Sequence, residues 1–173
     1  MGLLVGFINP SGGGGQFDAV ESYPLAAGGT AATLAANTAY LAKVRVSRPV
    51  RITQMSYLVG TASGNVDLGV YQSNGTTLTR MGSTGSTAAA GSSVIQTIAL
   101  TATVWINPGV DYYLGIAPDN GTVSIGRVTP NSVVTTLGRR AVSIATSFPL
   151  PATITLSSTA GSSTLALIYA DAA

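Results

Sequence analysis

The 173-residue sequence contains no cysteine and no histidine. Without cysteine it can have no disulfide framework, thiolate nucleophile or zinc–thiolate centre, and the redox compartment is left open. Without histidine it lacks the commonest general base, the Ser–His and Cys–His nucleophile pairs and imidazole metal ligands. Charge is scarce too. Eight Lys+Arg and six Asp+Glu make up 8% of the residues, with a net charge of +2, against about 25% in ordinary soluble domains. Lysine occurs once, at Lys43, and the acids are Asp18, Glu21, Asp67, Asp111, Asp119 and Asp171. Only Asp18 and Glu21 are neighbours in sequence. A carboxylate pair for glycoside hydrolysis and a D-x-D-x-D-G calcium loop both lack support. No catalytic residue, cofactor ligand or metal ligand is assigned, and the expectation is a non-enzymatic protein without a cofactor.

Long hydrophobic runs are also missing. None approaches the roughly 18 residues a membrane helix needs, so no membrane insertion is expected. "MGLLVGFINP" has no basic residue ahead of its short apolar run, unlike a secretory signal, and Gly6 stands where a myristoylation pattern wants Ser or Thr. No glycine cluster has the order of a phosphate-binding loop.

The chain is nonetheless 46% hydrophobic, which separates it from charged disordered sequences. It is long enough for one domain that buries roughly 70% of its unfolded surface. Low charge gives little self-repulsion, which suits a protein whose working state is assembled. Residues 1–36 read as an irregular N-terminal arm, with "NPSGGGGQF" as a connector and Leu3, Leu4, Val5, Phe7, Ile8 and Phe17 needing a surface to bury against, either the protein's own body or a neighbouring subunit or capsid. Residues 37–173 read as a β-sandwich domain.

From Tyr40 onward apolar residues recur with period two. In "VRITQMSYLV" the inward set starts at Val50 and Ile52, then shifts phase to Met55, Tyr57 and Val59, as a β-bulge would require. "VYQSNGTTL" predicts a hairpin at Asn74-Gly75, since both residues tolerate positive φ. Residues 82–93, "GSTGSTAAAGSS", predict an exposed, mobile loop. About nine to ten short strands, with turns every eight to twelve residues, point to a sandwich or barrel. The expected core comprises Val44, Val46, Ile52, Leu58, Val66, Leu68, Val70, Ile98, Leu100, Tyr112, Leu114, Ile116, Leu165 and Leu167, with Trp105 capping it.

Two surface features are candidate sites. Lys43, Arg45, Arg48 and Arg51 form a basic run with no acid between Glu21 and Asp67. Four positives without interleaved aromatics give a weak nucleic-acid footprint, and a solvated face or an acidic neighbour explains them better. Tyr71 and Tyr113 have the parity opposite to the apolar sets of their strands. They are expected to be exposed and are candidates for glycan or interface contact.

Three stretches, "PVRITQMSYLVGTASGNVDLGVYQSNGTTL", "INPGVDYYLGIAPDNG" and "FPLPATITLSSTAGSSTLALIYA", carry a resemblance. From about Thr33 to Ala170 the chain resembles a β-sandwich module of bacteriophage virion proteins, found in tail-fibre tips and in head or tail appendages. The resemblance implies an all-β, jelly-roll-like antiparallel sandwich on the exterior of a virion head or tail, and it brings no catalytic residues. Where tail-fibre members have a shaft, this sequence has its arm, which is expected to act as a tether. The expected function is decoration or reinforcement of the capsid or tail. The expected partners are the major capsid or tail proteins of the same virion and further copies of the chain, with a homotrimer favoured and no nucleic acid. The alternative is a receptor-binding module of a tail or head fibre that recognises a host-surface glycan.

Overall fold

The computed structural model describes residues 19–21, 30–128, 141–145, 147–162, 165–166 and 168–172. The strands are β1 (Ala19–Glu21), β2 (Thr30–Thr33), β3 (Thr38–Val44), β4 (Val50–Thr61), β5 (Asn65–Ser73), β6 (Thr77–Ser83), β7 (Thr87–Ala88), β8 (Ser92–Ile106), β9 (Tyr112–Pro118), β10 (Ser124–Val128), β11 (Ala141–Ala145), β12 (Thr153–Thr155), β13 (Ala160–Gly161), β14 (Leu165–Ala166) and β15 (Ile168–Ala172). Among the described residues, one 3-10 turn, at Leu156–Ser158, interrupts them.

Every pairing is antiparallel. The first sheet runs β8-β4-β15-β1, and β10 joins it beside β4 and β14 and carries β2 on its other side. The second sheet runs β12-β6-β5-β9-β3-β11-β13, with β7 extending the β6 side of β5. Numbering the long-range framework strands β1, β3, β4, β5, β6, β8, β9 and β15 as one to eight, the sheets read 1-8-3-6 and 2-7-4-5. This is the double Greek-key order of a jelly roll. The expected all-β sandwich is what the structure has.

Alternation builds the space between the sheets. Ile52, Met55, Tyr57 and Val59 of β4 meet Val66, Leu68 and Val70 of β5 and Tyr112, Leu114 and Ile116 of β9. The phase shift in β4 is a bulge at Thr53, because the registers to both β15 and β8 slip between Ile52 and Gln54. The shift turns Leu58 to the outer face, where it is only partly buried, so it drops out of the expected core. Val46, Ile98 and Leu100 pack at the core's margin. Trp105 does not cap the core: it points outward and is 57% exposed. Leu167 lies outside the described residues.

Unexpectedly, the second sheet is buried on both faces. Its outer side carries a second apolar cluster of Ala39, Leu41, Tyr71, Leu78, Tyr113, Ala117, Val142, Leu150 and Ile154. The cover is residues 147–152, which cross from the β11 edge to the β12 edge. One end is tied by the Ser147 N–H donating to the Asn37 carbonyl (2.7 Å), and the other by the Arg80 N–H donating to the Ala152 carbonyl (2.8 Å). The strap has a seat. Gly69 and Gly115 are directly paired across β5 and β9. A Cβ on Gly69 would lie 2.9 Å from Leu150 Cδ1 and 3.2 Å from the Gly82 carbonyl oxygen, and one on Gly115 would lie 3.1 Å from Leu41 Cδ2. Two missing side chains thus leave a dent that Leu150 and Leu41 fill. Burying Leu150 contributes about 2 kcal/mol.

The hairpin forms with a three-residue loop, 74–76. Gly75 sits at φ 96°, and Asn74 Oδ1 accepts from the N–H groups of Thr76 (3.0 Å) and Thr77 (2.8 Å). The 82–93 segment is not a free loop. Ser83 and Thr84 are buried, β7 pairs with β5, and Gln96 grips the following turn through the Ala90 N–H (2.9 Å) and the Ala88 carbonyl (2.9 Å). The division at residue 36 also shifts, since β1 and β2 are already strands of the first sheet.

Gly69→Ala is expected to destabilise the fold by about 1–3 kcal/mol in urea denaturation, because the backbone of Gly82 cannot retreat from the added methyl.

Candidate functional site

Asp67 is the most constrained polar residue described. It sits in mid-β5 on the outer side with Gly69 and Tyr71, and it is fully buried under the strap. The Leu150 N–H donates to its Oδ2 (3.0 Å). Thr84 Oγ1 approaches its Oδ1 (3.4 Å) and also accepts from the Leu68 N–H (3.0 Å). The Arg80 guanidinium lies 4.0 Å from Oδ2 and donates to the Leu150 carbonyl. The Tyr71 hydroxyl donates to the Pro151 carbonyl (2.7 Å). Burial pushes the Asp67 carboxyl above its ordinary range, opposed by the Leu150 N–H, Arg80 and Thr84. The same burial raises the Tyr71 phenol. These groups are spent on each other and on the strap, so the cluster is a latch rather than a reaction site.

This placement corrects the reading of the tyrosines. Tyr71 is fully buried and Tyr113 is 3% exposed, because the strap covers the face their parity assigned to solvent. Neither can meet a glycan. Tyr57 is buried in the inner core, donates to Gln96 Oε1 (2.7 Å) and has its pKa pushed up to about 12 by desolvation.

The basic run does not form one patch. Lys43 Nζ pairs with Asp111 Oδ2 at 2.6 Å, and Arg45 Nε donates to Oδ1 of the same carboxylate. Those hydrogen bonds, Arg45's first, hold the Asp111 carboxyl below its usual range. Arg48 lies in the connection between sheets, and Arg51 is exposed on the first sheet directly across the ladder from Trp105. The cations are thus divided between the two sheets, and the acidic neighbour for two of them is in the same chain. Asp119 closes a turn, accepting from the Asn65 N–H (2.9 Å) and Asn65 Nδ2 (2.9 Å). Leu3, Leu4, Val5, Phe7, Ile8 and Phe17 lie outside the described residues.

An open depression of about 260 Å³ is lined by Gln72, Ser73, Asn74, Thr79 and Met81. That is below the size of most small-molecule sites and holds no titratable group. Among the described residues, no group of three or more acids could hold a metal, and no helix is long and apolar enough to cross a membrane.

What the sequence reading missed is that β8 is one long strand at the edge of the first sheet with apolar residues exposed on it. Its fifteen residues carry no charge and no proline, and Val94 (46%), Ile95 (51%) and Trp105 stand exposed along it. The signal was present as the longest uncharged, proline-free strand among the described residues. No protein-family model matches this sequence, and no curated protein is significantly similar to it.

Asp67→Ala is expected to cost about 3 kcal/mol, because it strands the Leu150 N–H in a dry site and removes the carboxylate facing Arg80. Asp67→Asn, which keeps an acceptor, should cost less. The folded pKa of Asp67 lies above the unfolded value of about 3.9. Between the two values the folded chain holds a proton that the unfolded chain has released. The Asp67 contribution therefore increases stability as pH falls through that window and is lost as pH rises. Asp111, with its depressed pKa, works in the opposite direction, and the effect is small because the pair is exposed. Denaturation midpoints of wild type and Asp67→Asn between pH 3 and pH 7 check the sign: the variant should lack the acid-side gain.

Proposed function

We propose that this protein is a non-enzymatic structural protein of a bacteriophage virion. It decorates or reinforces the exterior of the capsid or tail, as a homo-oligomer with a trimer favoured, against the particle's major capsid or tail proteins. Two features from the sequence support the reading: the three stretches that resemble virion sandwich modules, and the very low charge. The observation that carries it is the surface of β8. A long, uncharged edge with exposed Val94, Ile95 and Trp105 is a liability for a free monomer and an asset for a subunit covered on assembly. The mechanism is burial: each subunit contact removes apolar surface from water and ties neighbouring subunits together, which resists expansion of the particle.

A second reading, glycan adhesion on a tail or head fibre, can no longer use Tyr71 or Tyr113. It would use Trp105, whose exposed ring lies across the ladder from Arg51.

Immunogold labelling of purified particles, with antibody against the 173-residue chain, is expected to place label over the head or along the tail. Label confined to the distal tail, reduced host binding by Trp105→Ala, or both would transfer the function to adhesion. Absence of label from every particle would overturn the virion reading. Deleting residues 1–17, which leaves β1 intact, is expected to abolish attachment to particles with the denaturation midpoint unchanged.

A further inference from the structure

The edges of the two sheets are unequal. The second sheet ends in β12, three residues long, and β13, two residues long. Among the described residues, the first sheet ends on one side in β1, three residues, and β2, four residues. Short edges and edge charges are the ordinary defences against strand addition. β8 has neither. It is fifteen residues long, and its one strand partner among the described residues is β4.

The part of β8 able to take another strand is bounded by the backbone. Gly91 and Ser93 adopt positive φ, 89° and 53°, at its start. Beyond Ala99 the register to β4 jumps from Gln54↔Ala99 to Ile52↔Val104, so residues 100–103 bulge. That bulge leans on β6, with Thr101 Oγ1 donating to the Ser83 carbonyl (2.9 Å). Residues 94–99 remain as a regular edge. Val94 and Ile95 are adjacent, so they lie on opposite faces of the sheet, and both are about half exposed. A strand laid alongside would cover both.

We propose that residues 94–99 of β8 pair antiparallel with the same residues of a second copy of this chain, about a two-fold axis passing through residues 95–97. An antiparallel edge is self-complementary: rotation about an axis normal to the sheet sets each outward N–H opposite a carbonyl of the copy. An edge without charge offers nothing to attract an acidic or basic partner and nothing to repel its own copy. The first sheets of the two copies become one continuous sheet across the axis. The contact joins two chains. It rests on the fold alone and does not depend on the virion reading.

Six paired residues bury less than a standard interface, so association is weak and is measured on the full chain at up to about 1 mM. In sedimentation equilibrium the wild type is expected to show twice the mass of Ile95→Lys and of Thr97→Lys, each of which brings a like charge from both copies into the paired stretch. Both positions are exposed, and unchanged circular dichroism would show that the variants fold. Equal mass for wild type and both variants would overturn the proposal; this is also the result if residues 1–18 of the same chain occupy the edge. The chain has no native cysteine, so Ile95→Cys and Thr97→Cys can be oxidised with copper phenanthroline alone and in equal mixture. An axis at residue 95 or 97 crosslinks the corresponding single variant, and an axis at 96 crosslinks the mixture. No disulfide-linked dimer in any of the three would also contradict it.

Discussion

The carboxylate of Asp67, buried in mid-sheet and gripped by the Leu150 N–H, is the interaction on which the rest of the molecule depends. A jelly roll needs only the space between its sheets to fold. Here the second sheet also has an apolar outer face, and that face is dry only while residues 147–152 lie across it. The strap is held at both ends by backbone hydrogen bonds and in the middle by Leu150 in the dent left by Gly69 and Gly115. Asp67 fixes the strap's register: a carboxylate this deep has few ways to be satisfied, and the Leu150 N–H is one of them. If the strap lifts, Asp67, Tyr71 and Arg80 lose their partners together.

That closure makes the protein one-sided. The outer face of the second sheet is sealed by the chain itself, so the glycan platform imagined on Tyr71 and Tyr113 is core. Among the described residues, the first sheet keeps a long, uncharged edge in β8 with no further strand beside it. Apolar residues that face water there cost solubility in isolation and gain a use when a neighbour covers them. The proposed function and the proposed two-fold contact both follow from this asymmetry, at different levels. One concerns what the particle gains, the other which atoms meet.

The fold class was legible because alternation, turn chemistry and the phase shift in β4 are local signals. Met55, Tyr57 and Val59 announced the bulge at Thr53, and Asn74-Gly75 announced the hairpin. Parity alone could not reveal the second covered face. Tyr71 and Tyr113 are correctly placed on the outer side, but whether an outer side meets water depends on a strap more than thirty residues further along the chain. Asp67 carried a hint, lying in "NVDLGVY" on the same parity as Gly69 and Tyr71. Two small or apolar neighbours on the supposedly wet side suggest that something presses there. The basic run misled for a similar reason: consecutive positions in sequence were divided between two sheets, and Asp111 reached Lys43 and Arg45 from far along the chain.

Native-state hydrogen exchange at the Leu150 amide tests this account most directly. If Asp67 anchors the strap as part of the cooperative fold, the Leu150 amide exchanges as slowly as the central amides of β5 and β9, through global unfolding. If it exchanges at the rate of exposed turns such as 74–76 while β5 stays protected, the strap opens on its own and Asp67 is not what holds the fold together.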